Sequence, residues 1–295
     1  MDLSGFLARH QLPETYREVA QKWFVPLAES IMLQLKGAGR PFFVGINGCQ
    51  GSGKSTLTEF LSEYLCTTHQ LNVACMSLDD FYLSQIERVD LAETIHPLLR
   101  TRGVPGTHDV TLMNNVFTQL KADGEVALPR FNKADDNPFP QETWPVINTP
   151  PDIVIVEGWC WGVPPQLEQD LVSPINTLEE AEDSEGIWRR FVNQQLAERY
   201  QPLFAQMNYS IMLKGLSFEH VFRWRCEQEH KLAAKTSANS TAIMTDEQIA
   251  RFIQHYQRLT EHSFQALPPL CDVVFKLDEN RNIVHVNTDN KQRKL

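Results

Sequence analysis

The run Pro41-Phe42-Phe43-Val44-Gly45-Ile46-Asn47-Gly48-Cys49-Gln50-Gly51-Ser52-Gly53-Lys54-Ser55-Thr56 carries two signals in succession. Its first six residues are apolar enough for a short buried strand, and Gly48 to Ser55 fits G-x-x-x-x-G-K-[ST] at every fixed position. A helix is expected next, because Thr56 to Leu65 has no breaker and spaces Leu57, Phe60, Leu61 and Leu65 along one face. Strand, glycine-rich turn and helix in that order make a phosphate cradle. Gly48, Gly51 and Gly53 let the backbone turn its N–H groups inward at a helix N-terminus, whose dipole also favours an anion. Residues Gly48, Cys49, Gln50, Gly51, Ser52, Gly53, Lys54, Ser55 and Thr56 are therefore the expected nucleotide-phosphate contacts. Lys54 would reach the β- and γ-phosphates, and the Ser55 hydroxyl would bind Mg²⁺.

Composition narrows the classes. With 295 residues, 42% of them hydrophobic, the chain can bury a full core and suits one large α/β domain with additions. A net charge of -10 argues against nucleic-acid or anionic-membrane partners, so a phosphate ligand must meet a local positive cluster. The six cysteines, Cys49, Cys66, Cys75, Cys160, Cys226 and Cys271, lack C-x-x-C spacing and suggest neither zinc nor a disulfide framework. Met1 to Gln11 shows no secretory pattern and no run is long enough to span a membrane, so a reducing cytoplasm is the expected setting.

The remaining elements can be placed in order. Residues 1–40 form an N-terminal helical extension, with Tyr16, Val19, Trp23, Leu27, Ile31 and Leu35 on one stripe that Pro26 should kink or split. Leu71 to Leu78 makes a second strand and ends in Ser77-Leu78-Asp79-Asp80-Phe81-Tyr82. Ligands in open α/β sheets sit beyond the carboxyl ends of the strands, so this acidic pair faces the nucleotide. Asp79 is the candidate to take the proton of an attacking hydroxyl, with Asp80 beside it; the alternative is that Asp79 caps the next turn. Asp152 to Trp159 is a β-branched run of the kind buried on both faces of a parallel sheet. Asp152 starts that strand, about 16 Å from its carboxyl end. Only Glu157 can then serve Mg²⁺ there.

The phosphate loop followed by S-x-D-D-F-Y resembles the P-loop kinases of small metabolites, the group of uridine kinase, phosphoribulokinase and bacterial pantothenate kinase. Within that group the pattern is most similar to the glycerate kinases of plants and fungi. The resemblance spans about Pro41 to Val286. It implies a doubly wound parallel sheet of the P-loop kinase fold over residues 41–295, with a helical lid near 218–245, Mg-ATP as phosphoryl donor and a small carboxylate as acceptor. Leu99 to Asp109 contains Arg102-Gly103-Val104-Pro105-Gly106-Thr107-His108-Asp109, similar to the family's R-G-x-P-G-T-H-D element. Arg102 and His108 are implied as acceptor-binding, since a carboxylate wants a fixed cationic donor. Asp109 also suits a helix N-cap. Tyr82 and Asp80 join the acceptor side, as does Trp159 in the E-G-W turn, where packing is the other reading.

Asn132-Lys133-Ala134-Asp135 spells the guanine-reading N-K-x-D, but no D-x-x-G element precedes it and Pro129 spoils the strand that should lead into it. The stretch instead resembles the family's P-R-[FY]-[ND]-K loop, which implies that Arg130 and Lys133 face the acceptor or the moving phosphoryl group; solvated charge is the alternative for Lys133. Residues 166–186 read as an acidic surface insertion without chemistry. In Phe218 to Ala234, Arg223 and Arg225 match the lid arginines of P-loop kinases, with an Arg225–Glu229 pair as the alternative. Residues 236–241 are expected at the lid tip. Thr245-Asp246-Glu247-Gln248 opens a long helix with a core face, and Val273 to Val286 reads as an edge hairpin. Kinases of pantothenate or a nucleoside, a GTPase and a non-catalytic ATP-binding regulator are the competing functions.

Overall fold

The computed structural model describes residues 1–235 and 244–288. Among these, six strands form the main sheet: β1 (Phe42–Gly48), β2 (Val73–Ser77), β3 (Ile153–Gly158), β4 (Tyr209–Lys214), β5 (Val273–Leu277) and β6 (Ile283–Asn287). Their order is β6-β5-β4-β1-β3-β2. All neighbours run parallel except the antiparallel β5–β6 edge hairpin, as the sequence suggested. Every residue of β1 and β3 is buried, because each has a strand on both sides and side chains covering both faces. The register brings Ile46 and Ser77 alongside Glu157, so the carboxyl ends of β1, β2 and β3 finish together. The loops that leave these three strands must then meet at one rim.

The helices that frame the sheet and the site are α1 (Val25–Leu35), α2 (Lys54–His69), α3 (Gln85–Thr94), α4 (Val110–Leu120), α5 (Thr177–Glu182), α6 (Ile187–Gln195), α7 (Phe218–Lys235) and α8 (Asp246–Ala266). The N-terminal segment shares the main core: Phe6 and Phe24 both pack on Phe60 of α2, and Phe24 also meets Phe275 of β5. Pro26 acts as its chemistry demands. It falls in the first turn of α1, directly after a π-helical turn over Ala20–Phe24, because a residue without an N–H cannot continue the normal ladder. Pro202 repeats the pattern after the π-turn Leu196–Tyr200. Asp109 is the N-cap of α4, accepting from the Leu112 N–H at 2.8 Å.

The acidic segment 166–186 lies largely at the surface, as its composition suggests, but two of its acids, Glu179 and Asp183, are buried against arginines from α6 and α8. Glu179 of α5 is fully buried and takes a two-pronged contact from Arg258, Nε at 2.7 Å and Nη2 at 2.6 Å, while Arg258 also donates to the carbonyls of Asp170 and Ser173. Asp183 caps α6 through the Trp188 N–H and pairs with buried Arg189 at 2.9 Å. Composition does not reveal this, since Arg258 lies 79 residues from Glu179 and Arg189 falls just past the end of the segment. Their guanidiniums replace the water that an acidic run was expected to keep.

A second buried post stands behind the β2 rim. His108 is almost wholly enclosed; its Nδ1 lies 2.7 Å from the Tyr200 hydroxyl and its ring stacks on Tyr82 at 4.6 Å. Burial holds this imidazole far down, at about 3, against the raising influence of Asp79.

These posts allow two stability tests. Arg258→Met leaves the Glu179 charge uncompensated and is expected to cost about 3–5 kcal/mol in denaturant unfolding; the Arg258→Met/Glu179→Gln pair should lose clearly less. For His108, the folded pKa lies below the ordinary 6.5, so the unfolded chain takes up a proton that the folded chain refuses, and stability drops as pH falls below 6.5. Between pH 7 and 5 the native protein should lose about 2 kcal/mol more than His108→Gln, as measured by urea midpoints at both pH values.

Candidate active site

The loop after β1 and the start of α2 supply the first wall. Gly51 and Gly53 adopt left-handed backbone, with φ of 77° and 92°. At Gly51 a Cβ would also lie 2.8 Å from the Cβ of Trp224, so α7 rests directly on the loop. α2 begins at Lys54, which puts its unpaired N–H groups at the loop mouth. Ser55 Oγ donates to Glu157 Oε1 at 2.8 Å, and Lys54 Nζ is 3.8 Å from Glu157 Oε2. Burial works against the Lys54 charge, yet the carboxylates of Glu157 and Asp79 outweigh it and raise its pKa.

Glu157 Oε2 is itself buried and, among the described residues, accepts no hydrogen bond. A carboxylate oxygen in that condition, with a serine hydroxyl beside it, suits a hard divalent cation. Among the described residues no cluster of three or more His, Cys, Asp or Glu could hold a metal by side chains alone, so such an ion would keep water and phosphate oxygens as its other ligands.

The second wall rises from the end of β2. Ser77 caps a 3-10 turn over Leu78–Phe81, and its backbone N–H donates to the Asp80 carboxylate at 2.9 Å. Asp80 therefore completes the capping box with Ser77, which leaves the Asp79 carboxylate for the cleft. Asp79 Oδ1 accepts from the Tyr82 hydroxyl at 2.9 Å and Oδ2 accepts from Lys133 Nζ at 2.6 Å. Burial opposes the charge on Asp79, but the Lys133 and Lys54 ammoniums override it and hold the carboxyl down at about 2. Asp80 moves the other way: burial raises its pKa, although Arg130 stands 3.5 Å off.

These walls enclose a cleft of about 470 Å³, and most of the expected side chains reach it. Gln50, Gly51, Lys54, Ser55, Asp79, Asp80, Tyr82, Arg102, Lys133, Glu157, Trp159 and Arg225 line it together. Trp159 is also a packing residue, its indole N–H donating to the Gly103 carbonyl at 2.8 Å. Arg225 likewise satisfies both readings, lining the cleft while pairing with Glu229 at 2.6 Å. A larger cleft of about 680 Å³ lies between α1 and strands β4 to β6, but no phosphate loop borders it.

Three expected contacts are placed elsewhere. His108 stands behind Tyr82 instead of facing the cleft. Arg130 turns back to the Pro129 carbonyl and Asp80. Arg223 donates to the Glu279 carbonyl in the β5–β6 turn and lies near Glu227. Of the loop residues, Cys49 and Ser52 are buried beneath the cradle, and the Thr56 side chain does not border the cleft. The N-K-x-D run proves to be a tight turn, with the Asn132 side chain donating to Asp135 Oδ2 at 2.5 Å. The expected lid tip, 236–241, lies outside the described residues.

Sequence reasoning missed several contributors. Phe252 and Tyr256 of α8 line the cleft, although their spacing marks a core face; the Tyr256 hydroxyl donates to the Arg102 carbonyl at 3.0 Å. Arg281, read only as part of a turn, donates from Nε to the Gly51 carbonyl at 2.9 Å. Arg88 is buried and holds Asp136, which in turn pairs with Arg102. No periodicity or motif singles out either arginine.

Comparison with known proteins agrees with this geometry. The model of the Phosphoribulokinase / Uridine kinase family matches residues 43–170. A Schizosaccharomyces pombe protein described as the uncharacterized kinase mug58 is 36% identical over 265 residues, 86% of this chain and 87% of that one. The chloroplastic D-glycerate 3-kinase of Arabidopsis thaliana is 26% identical over 261 residues, covering 84% of this chain but 55% of the relative. Among solved structures, D-glycerate 3-kinase from Cryptococcus neoformans superposes with a TM-score of 0.77 at 27% identity, over 90% of this chain and 98% of that one. A phosphate loop under a doubly wound sheet, a carboxylate at the next strand end and these relatives lead to one conclusion: the chain belongs to the phosphoribulokinase/uridine kinase family of P-loop kinases.

Proposed function

We propose that this protein transfers the γ-phosphoryl group of Mg-ATP to a hydroxyl of a small carboxylate, D-glycerate in the first instance, giving 3-phosphoglycerate and ADP. The observation that carries the reading is the Asp79 carboxylate, which shares one cleft with Lys54, Ser55 and Glu157 on one side and with Arg102 and Lys133 on the other. Names of relatives support the choice of acceptor, since two of them are D-glycerate 3-kinases.

In this scheme the loop amides and Lys54 grip the β- and γ-phosphates of ATP. Ser55 and Glu157 would hold Mg²⁺, which supplies neutralisation of the phosphate oxygens. Arg102 holds the acceptor carboxylate, and Tyr82 fixes the direction of Asp79. Asp79, ionised at neutral pH, takes the proton as the acceptor oxygen attacks the γ-phosphorus. The bond to the β,γ-bridging oxygen breaks in line, and the electrons leave with ADP. Arg225 offsets the charge that builds during transfer. Trp159, Phe252 and Tyr256 keep the reacting groups away from bulk water. Glu229 steadies Arg225 at the root of a lid formed by α7 and the start of α8, with Arg223 anchoring that root to the edge hairpin.

The decisive measurement is ADP release from purified protein with Mg-ATP and D-glycerate, L-glycerate, pantothenate, uridine or ribulose 5-phosphate. D-glycerate should be turned over fastest; transfer to none of the five overturns the proposal. Asp79→Asn is expected to lower kcat for the accepted substrate by about 10²- to 10⁴-fold while the KM for ATP stays within a few-fold. Arg102→Met should raise the KM for a carboxylate acceptor with far less effect on ATP, whereas an acceptor read through an amide or a base would hardly respond.

A further inference from the structure

The two oxygens of Asp79 are held in very different ways. On Oδ1 the donor is Tyr82, whose ring is 5% exposed, stacked on His108 and edge-on to Phe131 at 5.3 Å. That contact is built into the core. On Oδ2 the donor is Lys133, whose side chain is 60% exposed and reaches Asp79 on a flexible four-carbon stem. That contact can be exchanged.

The backbone beneath Lys133 is fixed, which confines the exchange to the side chain. Lys133 sits in the turn between the short strands Phe131–Asn132 and Asn137–Pro138. Asp136 of the same turn is clamped by Arg88, which is 1% exposed, through Oδ2 at 2.6 Å and the backbone carbonyl at 3.0 Å, and by Arg102 through Oδ1. The stem of Lys133 is therefore rooted at a constant place, from which the ammonium reaches the cleft. Arg102, the proposed holder of the acceptor carboxylate, borders the same cleft as Lys133. An anion arriving at Arg102 would also compete with Asp79 for the Lys133 charge.

We propose that Lys133 is a latch on Asp79, which opens when the carboxylate of an incoming acceptor draws the ammonium away, so that the base is released only when the correct nucleophile is seated. The inference rests on the reading of Asp79 as general base. Its purpose is to suppress a competing reaction that the same cleft could perform with water. In that reaction a water oxygen attacks the γ-phosphorus, the bond to the β,γ-bridging oxygen breaks, and one water proton passes to Asp79 and then to solvent, leaving ADP and inorganic phosphate. While Lys133 holds Oδ2, Asp79 cannot direct that lone pair at water.

The test uses Mg-ATP alone, so it does not depend on the identity of the acceptor. Lys133→Met keeps the length of the stem without the charge. It is expected to raise acceptor-free ATP hydrolysis by about tenfold or more over the native protein, with Lys133→Arg close to native. The Lys133→Met/Asp79→Asn protein should fall back to the native level. Unchanged hydrolysis in Lys133→Met overturns the latch, whether or not phosphoryl transfer to an acceptor is altered. Hydrolysis that rises but persists in the double variant overturns it as well, because the gain would not run through Asp79. Failure of the underlying reading looks different: Asp79→Asn alone would then transfer phosphoryl to the acceptor at the native rate.

Discussion

Parallel pairing in one register is the constraint on which the rest of the structure depends. β3 is hydrogen-bonded to β1 on one side and β2 on the other, and Glu157 stands level with Ile46 and Ser77. That single alignment puts the acid of β3 between the phosphate loop leaving β1 and the acidic turn leaving β2. A slip of one residue would point the Glu157 side chain to the opposite face of the sheet. The fully buried apolar runs of β1 and β3 make such a slip costly, since each side chain has a fitted place on one face or the other. Chemistry at the rim is thus set by packing well below it.

Around that rim the site is made of pairs in which one partner is fixed by burial and the other is reachable. Tyr82 is enclosed and Asp79 faces the cleft. Asp136 is clamped by enclosed Arg88, and Arg102 faces the cleft from the same carboxylate. Glu229 is buried and Arg225 extends from it. Enclosed partners keep their rotamers, so the facing groups are aimed without being immobilised at their tips. A kinase cleft, which has to admit small molecules and release them, is served by that division.

The parts legible in the chain were those written in consecutive residues. The glycine-rich loop, the capping box at Thr245, the N-cap at Asp109 and the Glu157 strand end all declare themselves within a few positions, because their physics is local. Groups whose role depends on distant partners stayed hidden. Residues 166–186 lie mostly at the surface, as their composition suggests, yet the burial of Glu179 within them depends on Arg258, far along the chain. Tyr256 carries the helical spacing of a core residue and is buried like one, yet it also lines the cleft. His108 shows the converse. Its motif places it near the acceptor, but the direction of its side chain sends it into the core behind Tyr82, and direction is not encoded in spacing.

Arg281 joins three stretches of chain that are far apart in sequence. Its guanidinium donates to the carbonyl of Gly51 and to Glu227 of α7 and lies over the indole of Trp224, which itself donates to the Glu279 carbonyl and rests on Gly51. The edge hairpin is thereby a mechanical strut. A swing of α7 that carried Glu227 outward would have to drag the cradle's own carbonyl or give up a charged contact. The root of that helix and the phosphate loop are thereby tied together through one side chain at the far border of the sheet.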